Sequence, residues 1–199
     1  MLLKKNNIEI FFVHIPRTAG RYVTNLLKSN NFQPISLDTR ENYNGIEEIH
    51  LHHKLLNHFD EYNRSKKLTI VRDPLDKFVS SATIDIGLHK RNSNLEFNSV
   101  ENIISYINLQ KNKYSFHTNW FRPQHEFISK DCKIWKYENG FKDDFIKFLK
   151  KNFNIEINIC EVDWKTNYDD VYKKINITDK IKETIKSIYK EDYNLFDYK

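Results

Sequence analysis

Three short runs of this 199-residue chain hold residue types that do chemistry on anions and protons. The first is HIPRTAGRY, residues 14–22, where an apolar run ends and a helical pattern begins. A chain that turns from strand into helix exposes main-chain N–H groups at the positive end of the helix dipole, which suits phosphate or sulfate. Gly20 permits close backbone approach, Thr18 carries a hydroxyl donor, and Arg17 adds a permanent planar cation. The run is not a Walker A loop, because GxxxxGK[ST] is absent. The second is VRDPLDKFVSSA, residues 71–82. Arg72 leaves a strand end and Ser80 stands two turns into the next helix, so a curled turn lets both reach one phosphate. Alone, the first run also reads as an ordinary strand-to-helix turn and the second as a capped helix. The third run, IHLHHKLLNHF, gathers His50, His52, His53 and His58. Imidazole titrates near neutrality and suits a proton acceptor. No carboxylate or cysteine pattern accompanies HLHH, so metal ligation is not expected there.

These residues need elements to position them. The β-rich run Ile8–Val13 predicts a buried strand, and Val23, Leu26 and Leu27 recur at helical spacing after Gly20. Lys67–Val71 predicts a second strand; Asp73 is the expected N-cap and Pro74 the first residue of a helix bearing Phe78, Val79, Ala82 and Ile86. Ser99 is expected to cap a helix with Val100, Ile103, Ile104 and Ile107. Cys132, Ile134 and Trp135 to Tyr137 read as a strand, followed by a helix carrying Phe141, Phe145, Phe148 and Leu149. Thr178 is expected to cap a last helix with Ile181, Ile185 and Ile188. Strands alternating with helices predict an α/β fold: one three-layer, P-loop-like domain over residues 1–199, its mainly parallel central sheet flanked by helices. Residues 90–98 (KRNSNLEFN) read as a surface loop.

Hydrophobic residues make up 39% of the chain and aromatics 14%, enough for a core and against disorder. The net charge of +5 suits anionic ligands, but the lysines are interspersed with acids and form no basic arm, so no nucleic-acid partner is expected. Cys132 and Cys160 lack metal-ligand spacing and are expected to be reduced. The N-terminal apolar stretch is too short to span a bilayer and lacks signal-peptide architecture, so a cytoplasmic protein is expected.

Together the first two runs resemble the PAPS-dependent sulfotransferase family, and within it the carbohydrate (Golgi-type, heparan 2-O-like) branch. There the first motif reads approximately HIPKTGGTS and the second VRDPxxRxxSxY. The likeness extends to WFRPQHEFI, to IWKYENGFKDDFIKFLKKNF and to the terminal IYKEDYNLFDY, nearly the full length. The resemblance implies that Arg17, Thr18, Ala19, Gly20, Arg21 and Tyr22 cradle the 5′-phosphosulfate of 3′-phosphoadenosine 5′-phosphosulfate (PAPS), largely through main-chain N–H groups. It implies that Arg72 and Ser80 clamp the 3′-phosphate, which distinguishes PAPS from ATP. It places a catalytic base at His52, with His50 and His53 as neighbouring competitors, and assigns Arg122, Pro123 and Gln124 to the donor pocket or its wall. The co-substrate would be PAPS, with no metal, and the acceptor a carbohydrate or other hydroxyl compound.

Two departures from the family pattern matter. Arg17 stands where the family has lysine, and Arg21 where it has Thr or Ser. Arginine supplies the charge that stabilises the bridging oxygen as the S–O bond breaks, but it cannot donate a proton at neutral pH. The alternative reading is therefore a catalytically weak or inactive PAPS-binding module of the same fold. A P-loop kinase is a third reading, opposed by the missing Walker lysine and by the RDP motif.

Overall fold

The structure, a computed structural model, describes residues 1–39, 42–43, 46–87, 99–109, 116–159 and 175–199. The expected loop over residues 90–98 and Cys160 lie outside the described residues.

The chain opens with a hairpin rather than a single strand. Strand β1 (Leu2–Lys5) pairs antiparallel with β2 (Ile8–Val13), and Lys5 faces Ile8 across a two-residue turn. Asn6 sits at φ 54°, a left-handed conformation that asparagine tolerates and tight hairpins require. Helix α1 (Gly20–Ser29) follows, and the chain returns as β3 (Gln33–Ser36) on the far side of β1. Pro34 lies on that outermost strand, where a missing N–H does least harm to the ladder. A two-stranded ribbon, β4 (Asn42–Tyr43) and β5 (Ile46–Glu47), precedes the short helices α2 (His53–Leu56) and α3 (Asp60–Arg64).

Strand β6 (Lys66–Val71) then lies parallel beside β2, and the Thr69 hydroxyl donates to the Val13 carbonyl at 2.8 Å. Helix α4 (Pro74–Gly87) leaves its end, followed by α5 (Val100–Leu109) and α6 (Phe116–Phe121). Strand β7 (Lys133–Lys136) adds parallel to β6 and feeds α7 (Asp143–Phe153); α8 (Asp179–Ile188) and α9 (Lys190–Leu195) close the chain. The five-stranded order is β3-β1-β2-β6-β7. Every strand but β1 points the same way, so the sheet is mixed and mostly parallel, as expected apart from β1.

Alternation along the strands divides the core. Ile10, Phe12, Leu68 and Ile70 face α1 and α7, packing on Leu26, Leu27, Phe145 and Leu149. Phe11, Val13 and Val71 face the other way, onto Leu51, Leu56, Tyr62 and Phe127. A third cluster joins α4, α5, α6 and α8 through Phe78, Ile103, Phe121 and Ile185. No helix among the described residues is long and apolar enough to cross a membrane.

Candidate active site

Parallel pairing puts the C-terminal ends of β2 and β6 at one edge of the sheet, the usual place for ligands in such folds. From the end of β2 the chain passes through residues 14–19 into α1. Arg17 and Ala19 both adopt left-handed backbone angles, φ 65° and 66°. The buried Thr18 hydroxyl donates to the Ile15 carbonyl at 3.0 Å, so its hydrogen closes the loop on itself. The first backbone bond at the helix start runs from the Val23 N–H to the Ala19 carbonyl, 3.1 Å, so the N–H groups ahead of it have no intrahelical acceptor. No acid occupies the first turn of α1. At Gly20 a Cβ would sit 1.8 Å from Cδ2 of His14, so only glycine fits beneath that imidazole. Arg21 is exposed, and the Tyr22 ring packs on Phe141 at 5.0 Å.

Arg72 follows the last residue of β6. Its N–H donates to Gln124 Oε1 at 2.9 Å, and its carbonyl accepts from Gln124 Nε2 at 2.7 Å. The guanidinium lies 4.6 Å from the Tyr137 ring centroid and 3.7 Å from the Asp76 carboxylate. Its Nε is buried, with no hydrogen-bond acceptor among the described residues. The Asp73 carboxylate accepts from the Asp76 N–H at 3.0 Å, capping α4. The two runs meet directly: Arg17 Nε donates to the Ser80 hydroxyl oxygen at 3.0 Å. Lys77, fully buried one turn before Ser80, donates to the carbonyls of Trp120 (2.9 Å) and Arg122 (3.1 Å). Burial pulls its pKa down to about 8, against the pull of Asp192 and with the help of Arg122 and Arg17.

The histidines separate into different surroundings. His50 Nδ1 lies 2.6 Å from Glu47 Oε2, and its ring meets His14 edge-on at 4.8 Å between centroids. Its carbonyl accepts from Asn119, whose side-chain oxygen in turn holds Arg122 Nε at 3.0 Å. His52 is buried at the head of α2, and its pKa falls to about 3, first through burial and then through the charges of Arg122, Lys54 and His53. His53 turns to Tyr62, 2.8 Å from its hydroxyl, with its pKa lowered chiefly by burial. The structure thus brings His14 and His50 against the loop, sets His52 in the field of Arg122, and directs His53 to the Tyr62 side of the sheet. Among the described residues no group of three or more His, Cys, Asp or Glu is placed to hold a metal ion.

Sequence reasoning missed Lys77, Glu47 and Asp192. Lys77 had a signal, since it stands where VRDPxxR carries a basic residue; Glu47 and Asp192 belong to no motif and are brought in by the fold.

Two turns leave adjacent parallel strands at the same end of the sheet and are joined by a side-chain hydrogen bond, which defines an α/β protein with a two-part candidate site. The chain belongs to the sulfotransferase family, whose sequence profile matches residues 2–199. It is a transferase, and the family points to sulfuryl transfer onto a hydroxyl-bearing acceptor. No match was found among curated proteins or among solved structures.

Proposed function

We propose that this protein transfers a sulfuryl group from PAPS to a hydroxyl of a carbohydrate. The observation that carries the reading is the Arg17–Ser80 contact, which unites the loop at α1 with the turn at α4 while Arg72 keeps a buried N–H with no acceptor among the described residues. PAPS carries anionic groups on both the 5′ and the 3′ oxygen of its ribose, and the residues present fit it. When bound, it supplies an activated sulfuryl group and a phosphate leaving group. The main-chain N–H groups around residues 18–22 receive the 5′-phosphosulfate. Arg72 and Ser80 receive the 3′-phosphate and so favour nucleotides that carry it over those that lack it. Arg17 holds the charge that builds on the bridging oxygen as sulfur passes to the acceptor oxygen.

His52 takes the hydroxyl proton in this reading. Its depressed pKa reflects burial and neighbouring cations, and an anionic donor offsets those cations, raising the proton affinity when the site is filled. His50, aimed by Glu47, is the second candidate for the base. The carbohydrate acceptor rests on the resemblance of both runs to the carbohydrate branch.

The test is transfer of labelled sulfate from PAPS to a panel of oligosaccharides and simpler hydroxyl compounds. Turnover is expected, with His52→Ala lowering kcat by about 10²–10⁴-fold and His53→Ala by less than about threefold. Failure to bind PAPS or its product 3′-phosphoadenosine 5′-phosphate (PAP) sinks the reading. Donor binding without transfer favours a binding module, in which the Arg17–Ser80 bond is a strut rather than part of a catalytic pair.

A further inference from the structure

Arg72 is held by its main chain rather than by its head. The guanidinium has one distant carboxylate at 3.7 Å, an aromatic face, and a buried Nε without an acceptor among the described residues. Its peptide groups, by contrast, are tied on both sides. Past Val71 the strand ladder ends, and side chains take over the backbone polar groups it leaves. The Gln124 carboxamide spans Arg72, accepting from its N–H at 2.9 Å and donating to its carbonyl at 2.7 Å. The next N–H, of Asp73, donates to Glu138 Oε1 at 2.7 Å, and Glu138 Oε2 accepts from the Tyr198 hydroxyl at 2.8 Å.

Gln124 is itself anchored from the C-terminus. Asp192, buried in α9, accepts from the Gln124 N–H at 2.7 Å and from the His125 N–H at 2.9 Å. Gln124 is fully buried and has its amide oxygen and nitrogen both engaged with Arg72, which fixes the side chain in a single orientation. Asp192 is a charged group without exposure, and three N–H groups of Gln124 and His125 satisfy it.

We infer that Gln124, locked by Asp192, is a positioning residue for the 3′-phosphate clamp: it fixes the Arg72 backbone and so aims the guanidinium, making the C-terminal helix a determinant of donor specificity. The inference rests on the proposed assignment of Arg72 to the 3′-phosphate. Loss of Gln124 would leave the fold and the 5′ site in place while the guanidinium loses its aim.

The experiment compares binding of PAP, which has the 3′-phosphate, with binding of AMP, which lacks it, by calorimetry on the full chain. The wild type is expected to prefer PAP, and Arg72→Ala to abolish the preference. Gln124→Ala should shrink the PAP-over-AMP ratio by about ten- to a hundredfold, the scale of a lost buried hydrogen-bonded pair. AMP affinity should stay within about threefold, a readout that a general loss of folding would not spare. Gln124→Glu, which keeps the acceptor for the Arg72 N–H and loses the donor, should fall between. In the Arg72→Ala background, Gln124→Ala should cost PAP binding nothing further. Equal losses of PAP and AMP, or full additivity with Arg72→Ala, overturn the inference while leaving the donor assignment standing. A wild type with no preference for PAP overturns the donor assignment, and the inference with it.

Discussion

Ala19 holds a left-handed backbone conformation (φ 66°) that costs an L-residue about 1 kcal/mol or more and costs glycine nothing comparable. The related family motif carries glycine at this position, so the strain is a substitution within a loop whose shape is set by its neighbours. Ala19→Gly is expected to raise stability by about 0.5–1 kcal/mol, the relief exceeding the added freedom of the unfolded chain. The shift of the urea midpoint at unchanged slope measures it, and a lower midpoint would refute the strain argument. The adjacent position behaves oppositely. A methyl at residue 20 meets the His14 ring at 1.8 Å, a contact that neither group can make without moving. Gly20→Ala should therefore displace His14 or the loop, with a loss of about 1–3 kcal/mol and weaker binding of PAP. Wild-type affinity in that variant would show that the loop is not where the phosphosulfate sits.

At the scale of elements, α9 is coupled to the segment carrying Gln124 through a histidine–carboxylate contact. His125 Nδ1 lies 2.7 Å from the buried Asp192 carboxylate, and Nε2 lies 2.9 Å from Glu191. The hydrogen bond to Asp192 raises the His125 pKa above its ordinary 6.5, overcoming burial, with the charges of Asp192, Glu191 and Glu126 adding to it. A folded pKa above the unfolded one makes the contribution fully present below pH 6.5 and lost as pH rises through the raised value. The urea midpoint should fall over that window, and His125→Gln should flatten that part of the profile. A wild-type profile identical to the variant's would exclude the latch. Two helix starts were legible in sequence, because capping is local chemistry: Ser99 accepts from the Asn102 N–H at 3.3 Å, and Thr178 from the Ile181 N–H at 3.3 Å. Strand β1 was not read, since two leucines and two lysines make a weak pattern; the Asn6-Asn7 pair before IEIFFV was the available signal. The break between α8 and α9 at Tyr189, and the reach of Asp192 to Gln124 across 68 residues, depend on packing between remote elements and leave no local mark.

The candidate site belongs to the molecule as a whole. The loop at α1, the turn at α4, the segment around Gln124, the end of β7 with Tyr137 and Glu138, and the C-terminal Asp192 and Tyr198 converge at one edge of the sheet. Of that set, the two motif runs were legible as candidate anion sites only when read together, whereas their joining through Arg17 and Ser80 required the parallel pairing of β2 and β6. Such a site does not exist in the unfolded chain, so its ligand adds stability only to the folded state. At a hundredfold excess over its dissociation constant, a ligand contributes about 2.7 kcal/mol. For a domain of this size that corresponds to a rise of about 5–10 °C in Tm. PAP at a hundredfold excess over its dissociation constant is therefore expected to raise the thermal midpoint by that amount, and AMP at the same concentration by much less, because it leaves Arg72 and Ser80 unengaged. Arg72→Ala should erase the difference between the two nucleotides without erasing the response to AMP. Equal shifts from PAP and AMP in the wild type would mean that the second prong does not bind a 3′-phosphate, whatever the first one holds.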